Sequence, residues 1–90
     1  MKILVFGSLK PDCKNCRAAE RLVEEIITPW GGGVEYRKVT INSPEAKEFR
    51  VMVTPSIVVN GKVVTHGAVP DAGQLRQVLE AERAREAAGS

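Results

Sequence analysis

Cys13 and Cys16 are the chain's whole complement of thiols. They stand as Cys13-Lys14-Asn15-Cys16 between the apolar run Ile3-Leu4-Val5-Phe6 and a helix-patterned segment, Arg17 to Ile27. At the first turn of a helix a dithiol meets unpaired backbone N–H groups and the positive end of the helix dipole. Both favour thiolate over thiol, most strongly at the first cysteine. Residues three apart are neighbours on a helix, so the two sulfurs can close a disulfide with only local adjustment. Such a pair suits redox cycling. The same two soft thiolates would also suit zinc, copper(I) or an iron–sulfur site. A tetrahedral zinc site needs two further ligands, and the single histidine, His66, is the one other candidate of the usual chemistry, so a metal would require a site shared between chains.

Local charges act on the pair in both directions. Lys10, Lys14 and Arg17 favour a thiolate, whereas Asp12 beside Cys13 opposes it and competes for the same helix N–H groups. Two cysteines cannot build the disulfide framework of a small secreted scaffold, and a structural bridge does not persist in a reducing cytosol, so a catalytic or ligating pair is favoured.

At 90 residues the chain is the size of one domain, residues 1–90, with a core expected over about 2–79. A composition 43% hydrophobic and 27% charged is that of an ordinary globular protein. The 13 basic and 11 acidic residues give a net charge of +2 and are spread along the chain, without the basic block or interleaved aromatics that grip nucleic acid. Ile3 to Phe6 is too short for a signal-peptide core, and no run is long enough to span a membrane, so the expected location is the cytoplasm.

The cysteines depend on the elements around them. Lys2 to Phe6 reads as a buried strand, and Gly7 to Asp12 as the loop that follows. Asp12 is the expected N-cap, which would make Cys13 the first helical residue. Cys16, Ala19, Val23, Ile26 and Ile27 recur on one helical face. Thr28-Pro29-Trp30-Gly31-Gly32-Gly33 ends this helix, and Val34 to Ile41 alternates as a half-covered strand. Ser43 and Pro44 open a short helix to about Arg50. Ser56 to Val59 and Lys62 to Thr65 flank Asn60-Gly61, the dipeptide best suited to a two-residue hairpin turn. Asp71-Ala72-Gly73-Gln74 has capping-box spacing before a last helix carrying Leu75, Val78 and Leu79. Its end, residues 80–90, is charged and alanine-rich and is expected to be solvated and frayed.

The order is β-α-β-α-β-β-α. A helical crossover makes the first two strands parallel and the tight turn makes the last two antiparallel, so the fold class is α/β, a mixed four-stranded sheet covered by helices.

In this arrangement the chain resembles the thioredoxin and glutaredoxin superfamily, specifically its small thioredoxin-like redox-active disulfide proteins, over about Lys2 to Leu79. The resemblance rests on Cys13-Lys14-Asn15-Cys16 after the first strand, Val53-Thr54-Pro55-Ser56 before the hairpin, and Gly67 after its second strand. It implies a three-layer fold, a cis Thr54–Pro55 bond packed opposite the dithiol, and backbone pairing of Thr54 with an extended substrate, so that Thr54, Pro55 and Gly67 form the substrate-binding set. It also implies thiolate attack by Cys13 on a substrate disulfide and resolution of the mixed disulfide by Cys16. The redox-active Cys13–Cys16 disulfide then serves in place of any cofactor or metal. The partners expected are a disulfide-containing protein and an upstream reductase or dithiol donor, met by a monomer.

The sequence departs from the thioredoxin pattern Trp-Cys-Gly-Pro-Cys, with Asp12 in place of tryptophan and Lys14-Asn15 in place of Gly-Pro. Thioredoxins also carry a buried acid beneath the dithiol, which the strand Ile3 to Phe6 lacks. Glu20, four residues past Cys16 on the same face, is the nearest substitute, although a helix carboxylate reads first as a solvated charge. The hairpin brings His66 to the sheet end that holds Pro55, and Trp30 lies at the far end of the first helix as packing. The paired glycines of the glutaredoxin pattern are not met by Gly67-Ala68-Val69-Pro70-Asp71, which argues against glutathione dependence. Two other readings stay open beside disulfide exchange. One is metal or iron–sulfur binding by the CxxC pair, and the other is a thioredoxin-like binding module that pairs a partner strand along the Thr54 edge.

Overall fold

The computed structural model describes residues 1–9 and 13–89; Asp12, the expected helix cap, lies outside the described residues. Four strands and three helices follow one another as β1 (Lys2–Gly7), α1 (Lys14–Ile27), β2 (Glu35–Thr40), α2 (Pro44–Glu48), β3 (Ser56–Val59), β4 (Lys62–His66) and α3 (Ala72–Gly89). A 3-10 turn, Thr28–Trp30, closes α1 and accommodates Pro29 in its first positions, so the proline tightens the helix end rather than stopping it at once.

The sheet order is β2-β1-β3-β4. β1 pairs in parallel with β2, from Lys2 opposite Glu35 to Gly7 opposite Thr40, and antiparallel with β3, from Ile3 opposite Val59 to Phe6 opposite Ser56. Because side chains alternate along a strand, β1 feeds two cores. Ile3 and Val5 pack with Ala19, Val23 and Ile26 of α1, Ile57 and Val59 of β3, and Leu75 and Leu79 of α3. Leu4 and Phe6 face the other way onto Val58, Val51 and Ala46 of α2. The result is the expected three layers, with β1 at their centre and its Ile3 to Phe6 run buried on both faces. Each such buried aliphatic or aromatic side chain contributes roughly 1.5–3 kcal/mol.

The ends of the elements follow local chemistry. Ser43 caps α2 by accepting the Ala46 N–H at 3.3 Å, as its sequence position predicts. The helix stops at Glu48, two residues before the expected end, because Arg50 takes a left-handed conformation (φ 56°) and the Val51 N–H returns to the Ala46 carbonyl at 2.8 Å. Asn60 (φ 50°) and Gly61 (φ 82°) both adopt the positive φ of a type I′ hairpin turn. Asp71 caps α3 through the Gln74 N–H at 3.1 Å.

Residues 80–89 form the solvated end anticipated from composition, and residue 90 lies outside the described residues. They are mostly exposed but stay helical to Gly89. Their anchors are polar contacts that an apolar-face count does not register. Glu82 accepts from Asn60 Nδ2 at 3.1 Å and pairs with Lys62 and Arg85, Glu86 pairs with the Met1 amino group at 3.0 Å, and the Arg83 guanidinium lies 4.6 Å from the Trp30 ring centroid.

For the site the decisive feature is register. Gly7 at the end of β1, Thr40 at the end of β2, Ser56 at the start of β3 and His66 at the end of β4 share one end of the sheet. The loop leading into α1 and the loop leading into β3 therefore meet at that end.

Candidate active site

Cys13 and Cys16 are joined as a disulfide, with Cα atoms 5.3 Å apart, inside the ordinary range for a bridge. Cys13 is not the first helical residue but the N-cap itself. Its backbone is extended (φ −71°, ψ 101°) and its Sγ accepts the Cys16 backbone N–H at 3.3 Å. A cysteine sulfur stands one bond beyond Cβ, as a serine oxygen does, and so can take the capping position assigned to Asp12. A backbone N–H at this position bonds an anionic sulfur more strongly than a neutral one.

The two cysteines differ in environment. Cys13 is half-buried, whereas Cys16 is only 4% exposed and its Sγ accepts the Ser8 N–H at 3.4 Å. Helix periodicity puts Cys16 on the face that carries Ala19, Val23 and Ile26, so the packing of α1 on β1 covers the second sulfur and leaves the first at the edge.

Beneath the pair, on the β2 side, an open pocket of about 270 Å³ is lined by Gly7, Ser8, Arg17, Glu20 and Lys38 together with both cysteines. A Cβ placed on Gly7 would lie 3.8 Å from Cys16 Cβ and 3.9 Å from Glu20 Oε2, which puts the Glu20 carboxylate and Cys16 around one point of β1. Glu20 is half-buried and lines the same pocket as the two cysteines. Lys38 was not foreseen. Only the parallel register, Val5 opposite Lys38, brings it alongside. Behind it Tyr36 donates its hydroxyl to Glu24 at 2.8 Å, and burial, reinforced by that carboxylate, pushes the phenol well above its usual range.

The second half of the site is the turn into β3. Thr54–Pro55 is cis, as the resemblance implies, and Pro55 is buried. Three contacts fix the turn: Ser56 Oγ donates to the Val53 carbonyl at 2.7 Å, the Gly67 N–H donates to the Pro55 carbonyl at 2.8 Å, and the Met52 N–H donates to His66 Nε2 at 3.3 Å. Gly67 has φ 85°, and a Cβ there would fall 2.7 Å from Val53 Cγ2, so both conformation and space call for glycine. Thr54, Pro55 and Gly67 are thus brought together, at the sheet end that also carries Cys13 and Cys16. His66 reaches that end but joins the Met52 side of it, outside the pocket beneath the cysteines. The His66 contact escaped the sequence because it depends on a cross-strand register, Ser56 opposite His66, that periodicity does not supply, whereas the Ser56 contact is local and spans only three residues.

Among the described residues no group of three or more histidine, cysteine, aspartate or glutamate side chains is clustered to hold a metal ion, and no helix is long and apolar enough to cross a membrane.

Residues 1–80 match the family model described as a thioredoxin domain. The chain belongs to the thioredoxin family. It is 43% identical over 70 residues to a thioredoxin of Methanocaldococcus jannaschii, covering 76% of this chain and 80% of that protein. It is 33% identical over 73 residues to a probable thioredoxin of Archaeoglobus fulgidus, covering 77% of each. Thioredoxin 1 of Thermosipho africanus superimposes with a TM-score of 0.69 over 100% of both chains at 15% identity, a likeness of fold alone. A thioredoxin with a CxxC pair closed as a disulfide is a thiol–disulfide oxidoreductase, and the metal-site and binding-module readings gain no comparable support.

Proposed function

We infer that this thioredoxin reduces disulfides in protein substrates, with Cys13 as the attacking sulfur and Cys16 as the resolving one. The observation that carries the reading is the asymmetry of the pair: Cys13 is the half-buried N-cap whose sulfur receives a helix N–H, and Cys16 is buried beside Glu20. The Cys13 thiolate attacks one sulfur of the substrate disulfide, forming the mixed disulfide and expelling the other substrate sulfur as a thiolate. Cys16 then gives its proton to the Glu20 carboxylate, the acid that shares its pocket, and attacks Cys13. The second substrate thiolate leaves, and the chain is left oxidised by two electrons. An upstream reductase or dithiol donor returns the pair to the reduced form.

The substrate-binding set is Thr54, Pro55 and Gly67. Thr54 precedes a buried cis proline, and its backbone edge takes an extended substrate strand while Gly67 holds the turn from behind. The disulfide itself carries the electrons, without a cofactor, and the domain works as a cytoplasmic monomer. Reduction of insulin by dithiothreitol tests the reading. The wild-type chain accelerates it and Cys13→Ser does not, while equal activity of Cys13→Ser and Cys16→Ser overturns the assignment of roles.

A further inference from the structure

His66 is the chain's single histidine and does not line the pocket at the cysteines. It closes β4 opposite Ser56, and its Nε2 accepts the Met52 N–H at 3.3 Å. An imidazole nitrogen that accepts is unprotonated, so the other nitrogen carries the ring's proton. Met52 and Val53 are apolar yet 80% and 45% exposed, in the loop immediately before Thr54. Two adjacent apolar side chains left exposed on a held loop, next to the Thr54 edge, are placed to meet a chain bound along that edge. The loop backbone is pinned on one side by Ser56 Oγ on the Val53 carbonyl and, one residue earlier, by His66 on the Met52 N–H.

We propose that His66 is a positioning residue that sets the preference for polypeptide over small-molecule disulfides, by holding Met52 and Val53 as a rigid apolar platform beside Thr54. This rests on the substrate edge assigned above. A small disulfide needs only the Cys13 sulfur, whereas a polypeptide must also lay its flanking residues along residues 52–54, and ordering that loop in advance lowers the cost of binding. His66 acts only through the Met52 amide. Its effect therefore falls on KM for a protein substrate and leaves the sulfur chemistry alone.

The test uses the full chain, with insulin and 5,5′-dithiobis(2-nitrobenzoate) as the two disulfides. His66→Leu keeps bulk and removes the acceptor, while His66→Gln keeps an acceptor that does not titrate. His66→Leu is expected to raise KM for insulin roughly threefold to tenfold, the range one net hydrogen bond covers, with kcat and the rate on the small disulfide unchanged. His66→Gln stays close to wild type. Hydrogen exchange at the Met52 amide reads the clamp without any activity, protected in wild type and His66→Gln and fast in His66→Leu. Unchanged Met52 exchange in His66→Leu, an unchanged KM, or equal losses on both disulfides overturns the proposal. A chain that reduces neither disulfide, with Met52 exchange behaving as described, overturns instead the assigned function.

Discussion

The Sγ of Cys13 accepts the backbone N–H of Cys16 at 3.3 Å, so the first cysteine of the pair caps the helix on which the second is buried. One hydrogen bond thus makes two identical side chains chemically distinct. The first sits at the helix end, a position whose N–H groups and dipole favour an anionic sulfur, and the second is shielded by the packing of α1 on β1.

That difference is measurable as alkylation. In the reduced protein at neutral pH, iodoacetamide is expected to modify Cys13 at least about tenfold faster than Cys16, because rate follows thiolate fraction and access. Peptide mapping after a short pulse reads the ratio.

Glu20 lines the same pocket as Cys16, and the proposed resolving step passes the Cys16 proton to it. Glu20→Gln is expected to slow release of the mixed disulfide roughly tenfold or more while leaving the first attack unchanged, since removing a proton acceptor affects only the step that transfers the proton. Rapid-mixing kinetics with a chromophoric disulfide separates the two phases. A slowed first phase with a normal second would remove Glu20 from this role.

Gly67 is held at φ 85° with Val53 Cγ2 2.7 Å from where a Cβ would stand. Gly67→Ala combines backbone strain with a clash and is expected to lose about 1–3 kcal/mol in urea unfolding, with KM for a protein disulfide rising as the loop shifts.

Much of this was legible in the sequence, for reasons that differ by element. The hairpin was legible because Asn60-Gly61 has few alternatives in backbone conformation, and the α1 face because its apolar period runs unbroken from Cys16 to Ile26. The cap was not. Asp12 and Cys13 are both able to cap a helix, and the chain chose the residue whose sulfur also does the chemistry. Lys38 beside the cysteines and His66 on Met52 were hidden for a different reason, since each depends on how one strand is registered against another. The contacts of the α3 end were hidden because Glu82 and Glu86 find their partners on Asn60, Lys62 and the amino terminus, far away in sequence.

Glu82 gives that end a pH signature. The Asn60 side chain, aided by Arg85 and Lys62, holds its carboxyl below the usual carboxylate range in spite of partial desolvation. A carboxyl with a depressed folded-state pKa stabilises the fold above the unfolded group's titration and ceases to do so as the pH falls through its own. Glu82→Gln is therefore expected to be less stable than wild type at neutral pH and to converge with it in acid. Thermal unfolding across that range checks the sign.

Trp30 closes the opposite end of α1, about 20 Å from the cysteines at 1.5 Å per residue, under the Arg83 guanidinium. Its fluorescence is expected to stay nearly constant when the disulfide is reduced.

Intact-mass analysis of single-cysteine variants tests the central claim most directly. Reduced Cys16→Ser, mixed with insulin or another disulfide-bearing polypeptide, is predicted to accumulate a covalent adduct of one substrate chain, released by dithiothreitol and mapped to Cys13, while Cys13→Ser accumulates none. An adduct that forms on Cys16 in Cys13→Ser as readily as on Cys13 in Cys16→Ser would contradict the division into attacking and resolving sulfur.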